Sequence, residues 1–89
     1  MSRFVQLDYY SDPAHGWYRV QREELQRYGV AALISSYSYE RGRYVYLEED
    51  QDAAIFTRAV EAEGDSVEIV GNITTNEDSF IRSMNRFAA

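Results

Sequence analysis

The side chains able to do acid–base chemistry in this sequence are fifteen carboxylates and a single histidine, His15. A Ser–His–Asp relay needs an imidazole between a hydroxyl and a carboxylate, so any such relay here has to pass through His15. That residue lies in Pro13-Ala14-His15-Gly16-Trp17, a loop-like stretch, and no G-x-S-x-G elbow presents a serine to it. Its simpler role is to order this loop or to stack near Trp17. The five glycines are scattered singly, so no glycine-rich loop cradles a phosphate. Cysteine is absent, which removes thiol nucleophiles, disulfides and zinc–thiolate sites. Glu48-Glu49-Asp50-Gln51-Asp52 supplies hard oxygen ligands of the kind that Ca²⁺ and Mg²⁺ take, yet it lacks the glycine and distal glutamate of an EF-hand loop. The expectation is a protein that binds another macromolecule and works without catalysis, cofactor or metal.

Charge is distributed unevenly. Glu48, Glu49, Asp50, Asp52, Glu61, Glu63, Asp65 and Glu68 are eight acids against Arg58 alone, so residues 48–68 carry −7. The remaining 68 residues hold seven acids and eight arginines. Acids at the start of a helix complement its dipole and cap its free amides, which accounts for Glu49, Asp50 and Asp52. Glu61 and Glu63 fall in the last turn of the same helix, where the dipole disfavours them. Solubility alone is one explanation of the cluster; an anionic surface selected for a basic groove is the other. An anionic surface makes direct binding to nucleic acid an unlikely role, so the partner expected is a protein.

A second candidate surface is aromatic. Ser35–Glu40 and Arg43–Leu47 flank Arg41-Gly42, the pattern of a β-hairpin with a two-residue loop. That loop pairs Tyr39 with Tyr44 and Tyr37 with Tyr46. Directly opposed residues share a face, so Tyr37, Tyr39, Tyr44 and Tyr46 stack on one side while Ser36, Ser38, Val45 and Leu47 take the other. Either side can serve as the core face, leaving the tyrosines as core or as interface.

The elements that position these residues follow from local patterning. Residues 3–10 and 16–20 read as strands separated by the breaker Ser11-Asp12-Pro13. Residues 22–28 read as a helix ended by Gly29, and residues 30–34 as a helical turn or strand entry. After the hairpin, Asp50 or Asp52 can cap a helix whose Ala53, Ile55, Phe56, Ala59 and Val60 form an apolar arc about 160° wide. Gly64 ends it. Residues 66–70 form a strand, residues 71–78 a polar loop, and residues 79–87 a short terminal helix burying Phe80, Ile81 and Met84. The 89 residues suit one domain, 1–89, and are too few for two separate cores. The expected fold is α+β: a twisted antiparallel sheet of four to five strands with two helices on one face. Met-Ser-Arg-Phe-Val-Gln contains no signal-peptide run and nothing later is long enough to span a bilayer, so the expected location is a bacterial cytoplasm.

His15-Gly16-Trp17, Ser35-Ser36-Tyr37-Ser38-Tyr39, Tyr46-Leu47-Glu48-Glu49-Asp50, Ile81-Arg82 and Arg86-Phe87 together resemble a group of short accessory proteins carried by phages and plasmids. The resemblance runs over most of residues 12–58 and thinly over the C-terminus. It implies a host-defence antagonist, of the anti-CRISPR or anti-restriction kind, that mimics DNA and occupies a basic nucleic-acid groove of a bacterial defence protein. The alternative is a phage adaptor that docks a host protein through the aromatic hairpin.

Overall fold

The computed structural model describes residues 2–89. In chain order the elements are β1 (Phe4–Ser11), β2 (Gly16–Gln21), α1 (Arg22–Arg27), a 3-10 turn (Ala31–Leu33), β3 (Tyr39–Arg41), β4 (Tyr44–Glu48), α2 (Asp52–Ala62), β5 (Ser66–Thr74), a second 3-10 turn (Phe80–Ser83) and β6 (Asn85–Arg86). The six strands form one sheet in the order β5-β1-β2-β4-β3-β6. This is a small α+β domain, with both helices packed on one face.

Two features depart from the expected sheet. It has six strands, and β5 pairs with β1 in parallel, whereas every other pairing is antiparallel. The reason is the path of α2. β4 and β1 run the same way, since each is antiparallel to β2, and a helix leaving the end of β4 returns the chain to its start before β5 begins. A strand–helix–strand unit produces parallel strands. That signal was present in the order hairpin, helix, strand.

The hairpin is shifted from its expected register. Gly42 has φ +58° and, among the described residues, no non-glycine residue has positive φ, so Gly42 takes the first central position of a two-residue turn with Arg43 second, as a type II′ turn requires. Tyr39 consequently pairs with Tyr46, and Arg41 with Tyr44. A shift of the pairing by two residues leaves the faces unchanged. Tyr39, Tyr44 and Tyr46 still share one side, but Tyr37 lies in the preceding turn and outside the ladder.

Residues 79–87 form one 3-10 turn followed by β6, not a continuous helix. Ser79 caps that turn by accepting the Ile81 N–H, and β6 then closes the outer edge of β3, pairing Arg86 with Tyr39 and Asn85 with Glu40. An otherwise open sheet edge satisfies more backbone groups than a second helical turn would. Ile81, Met84 and Phe87 are buried while Phe80 is exposed. β5 also runs four residues past its expected end, through a bulge at Val70 where the register with β1 shifts between Leu7 and Asp8.

The core is divided by the sheet. Val5, Leu7, Val20, Val45 and Leu47 meet Leu25 of α1 and Ala53, Phe56 and Val60 of α2 on one face. On the other, Trp17 and Tyr46 meet Ile81 and Met84, with Tyr10, Tyr39 and Tyr44 packed around them. The Val45 and Leu47 side of the hairpin therefore lies under the helices, and its tyrosines lie under the C-terminal segment. Among the described residues no helix is long and apolar enough to cross a membrane.

Candidate functional site

The end of the sheet beside the start of α2 forms a cleft of about 540 Å³. Its walls come from five separated stretches of chain: His15 and Trp17, Tyr37 and Tyr39, Glu48 to Gln51, Arg82, and Arg86. These stretches converge on one place, although the outermost are separated by most of the chain.

Each wall is held by identifiable contacts. The loop before β2 is tied by Asp12, whose carboxylate accepts the N–H groups of Ala14, His15 and Ser79 and both guanidinium arms of Arg82. The Asp12 side chain is fully buried. Arg82 holds its carboxyl well below the usual carboxylate range, burial opposes this, and the three backbone N–H groups add to the lowering. A single ion pair thereby fixes the first loop to the C-terminal segment. The Arg82 guanidinium also lies 5.8 Å from the Trp17 ring, and the imidazole of His15 lies 5.9 Å from the same indole. The exposed imidazole thus stands beside Trp17, while the backbone of its loop is held by Asp12.

The acidic wall is built around the helix start. Glu48 accepts the N–H groups of Asp50, Gln51 and Asp52; it, and neither aspartate, caps α2. Burial pushes the Glu48 carboxyl up, but those three donors outweigh it and leave it below its ordinary value. Asp52 has turned inward: it is 0% exposed and accepts the Ser35 N–H and the hydroxyls of Ser35 and Ser38. Ser38 in turn accepts the Glu48 N–H, so the buried carboxylate anchors the tyrosine-bearing turn to the helix. Glu49 and Asp50 remain exposed.

Glu49 is positioned from below. The hydroxyl of Tyr9 donates to it, and this hydrogen bond, with burial second, pushes the Tyr9 phenol up to about 12. The pair sits directly over Gly16, where a Cβ would collide with both the Tyr9 hydroxyl and the Glu49 carboxylate. The backbone approaches there too, with Glu49 N–H donating to Gly16 O at 3.1 Å. A side chain at 16 would have to push this hydrogen-bonded pair aside.

The aromatic wall is graded in exposure. Tyr37 is 67% exposed, Tyr39 and Tyr44 are half-buried, and Tyr46 is buried. Arg86 lies 5.0 Å over the Tyr39 ring and donates to Ser36 O. The four tyrosines do not form one surface: Tyr37 and Tyr39 border the cleft, Tyr46 is core, and Tyr44 lies under the Arg19 guanidinium at 4.5 Å.

The remaining acids are separated from the cleft. Glu61 and Glu63 are exposed at the opposite end of α2, about 16 Å away along an eleven-residue helix. Asp65 is tied down by the Arg3 N–H and the Tyr28 hydroxyl, which hold its carboxyl below the ordinary value, the hydroxyl acting most. Glu68 is bonded to Gln6, on the sheet face away from the helices. Glu48, Asp52 and Asp65 therefore serve the fold, and the five exposed acids fall into three groups. None of the eight acids is ion-paired with an arginine: among the described residues, every salt bridge uses Asp8, Asp12, Glu24, Glu40 or Asp78.

Arg82, Arg86 and Asp12 are parts of the site that sequence reasoning missed. Asp12 and Arg82 meet across seventy residues of chain, and no local spacing announces such a pairing. Among the described residues no group of three or more His, Asp or Glu side chains is arranged to hold a metal ion. The chain matches no protein-family model, no curated protein and no solved structure.

Proposed function

We propose that this protein binds a cationic segment of another protein in the aromatic and acidic cleft beside α2. The observation that carries this reading is the charge left uncompensated there. Arg82 is neutralised by Asp12, so Glu48, Glu49 and Asp50 share the cleft with Arg86 and the His15 imidazole as its remaining basic groups, next to the exposed ring of Tyr37. A lysine or arginine entering the cleft finds carboxylates for its charge and tyrosine faces for its alkyl stem or guanidinium, a combination worth about 0.5–2 kcal/mol per ring contact. Tyrosine is favoured at such contacts because it offers large area with few rotors to immobilise. The partner class that fits is a bacterial defence protein with a basic nucleic-acid-binding surface, and the protein acts as a phage-type inhibitor by occupying that surface.

A second reading, DNA mimicry over the whole acidic segment, is favoured by one observation: none of the eight acids of residues 48–68 is paired with an arginine. The two readings place the binding energy at different ends of α2. Titrating the protein with an arginine-rich peptide, and with a purified CRISPR effector or restriction enzyme, separates them. The cleft reading expects Tyr37→Ala and Glu49→Gln each to weaken binding about tenfold, and the double reversal Glu61→Lys/Glu63→Lys to change it less than twofold. The reverse order favours mimicry, and equal affinity at low and high salt removes both.

A further inference from the structure

β5 lies at the edge of the sheet, paired with β1 alone, and its nine residues present one row of backbone donors and acceptors outward. Proteins guard such edges with charged side chains, proline, a bulge or a very short strand. β5 is long, has no lysine or proline, and carries a single charge, Glu68. Its bulge at Val70 is the sole irregularity, and Ile69, Val70 and Ile73 are 48%, 54% and 45% exposed. Between α2 and the sheet, beside Ala53, Ala54 and Thr57, a shallow, mostly apolar groove of about 270 Å³ runs inward from Val67 and Ile69 over Leu7 to Tyr18 and Glu49. An added strand would find backbone partners along the edge and a place for aliphatic side chains on the helix side.

Charge decides what kind of strand fits. Glu61 and Glu63 precede β5, Glu68 lies within it, and Glu77 and Asp78 follow it, all exposed; of these only Asp78 is near an arginine, 3.9 Å from the Arg82 guanidinium that Asp12 already holds. The nearest arginine at its start, Arg3, whose carbonyl accepts the Ser66 N–H, is bound to Glu24. A second copy pairing antiparallel would bring Glu61 and Glu63 against the partner's Glu77 and Asp78, acid upon acid. A segment with aliphatic residues in its middle and basic residues at its ends meets the opposite charge at both.

We propose that the β5 edge accepts an extended segment of a partner protein by strand addition, aliphatic in its middle and basic at its ends. Main-chain hydrogen bonds supply affinity in this mode, and the alternating side chains supply specificity. The groove and the cleft share Glu49, but the β5 edge itself involves neither Tyr37 nor Asp50, so Ile69→Lys tests it separately from the cleft.

The test uses three synthetic octapeptides of alternating threonine and valine: one with arginine at both ends, one with glutamate there, and one arginine-ended with a central proline. Backbone amides are followed by NMR and hydrogen exchange. The arginine-ended peptide is expected to slow exchange of the outward-facing β5 amides, with the other two binding at least tenfold more weakly. Ile69→Lys, at an exposed position compatible with folding, should weaken the first peptide about tenfold. Equal binding of all three peptides, shifts remote from β5, or no binding at all would overturn the proposal. So would protection of β5 that rises with protein concentration alone, which would assign the edge to a second copy.

Discussion

On one face of the sheet, α1 and α2 cover Val5, Leu7, Val20, Val45 and Leu47, and the core there is mainly aliphatic, with Phe56, Phe87 and the Tyr18 and Tyr28 rings set into it. On the other, a four-residue turn and a two-residue strand cover Trp17 and Tyr46, and the surroundings are tyrosine and arginine. The difference follows from how much chain is available as a lid. A long amphipathic helix excludes water from a whole sheet face, so residues with no polar atoms are favoured beneath it. A short lid leaves margins wet, and there the sheet uses side chains with an apolar body and a polar tip. Arg19 lies over Tyr44, Arg86 over Tyr39 and Arg82 beside Trp17, with Asp8 and Asp12 bonded to two of these arginines. The lid also ends short of Phe4, Gln6 and Gln21, which stay exposed. The candidate cleft opens at the margin of this second lid.

If the contrast is real, the two faces should respond differently to truncation. Phe56 is fully buried with the Tyr28 ring edge-on at 5.9 Å, so Phe56→Ala should cost about 3–5 kcal/mol, measured by urea unfolding. Tyr46→Ala, which removes a ring of similar size from under the short lid, should cost less, about 2–3 kcal/mol, because the wet margin can relax into the space. Comparable losses from the two substitutions would mean that the aromatic face is packed as tightly as the helical one.

The aromatic face should instead depend on its ion pairs. Asp12→Ala strands Arg82 and frees three backbone N–H groups, and a loss of about 2–3 kcal/mol is expected. The sign of the pH dependence follows from the lowered Asp12 pKa. A depressed carboxylate contributes stability that is fully present above the ordinary aspartate value near ~3.9 and is lost as pH falls below it. Wild type should therefore lose stability on acidification below about pH 4, and Asp12→Asn should flatten that slope. An unchanged acid limb in the variant would show that this pair does not hold the second lid.

The smallest effect expected is at Gly16, where the two faces meet the site. Gly16→Ala forces the Tyr9 hydroxyl and Glu49 apart, but both are side-chain ends able to move, so about 1 kcal/mol is expected. The more specific readout is the Tyr9 phenol, which should titrate well below about 12 once its hydrogen bond to Glu49 is broken. A phenol unchanged in the variant would show that Tyr9 and Glu49 move together and stay bonded despite the added methyl group.

Much of the scaffold was legible in the residues. Period-two runs marked β1, β2, β4 and the start of β5, and Gly29 and Gly64, at φ +70° and +80°, ended both helices where glycine was expected to. The helix arc faced the core as its spacing required, with Ala53, Phe56 and Val60 buried. Legibility failed wherever a group had two local options. Asp50, Asp52 and Glu48 all stand at the start of α2, and sequence spacing does not say which will cap it; the buried hydroxyls of Ser35 and Ser38 drew Asp52 inward and left Glu48 to serve the amides. Similarly, Ile81, Met84 and Phe87 can be buried by a helix or by a turn and strand, and the open edge of β3 selected the second.

Taken alone, the order of side chains determined the local conformations, the single domain and the concentration of negative charge between Glu48 and Glu68. These depend on neighbours within a few positions, where sterics and periodicity act. The tertiary structure decided which carboxylates became internal fastenings and which stayed exposed, how Arg82 and Arg86 came to wall a cleft with Tyr37, and that β5 was left as an edge. Those outcomes depend on residues tens of positions apart, and only the folded chain brings such groups within hydrogen-bonding distance.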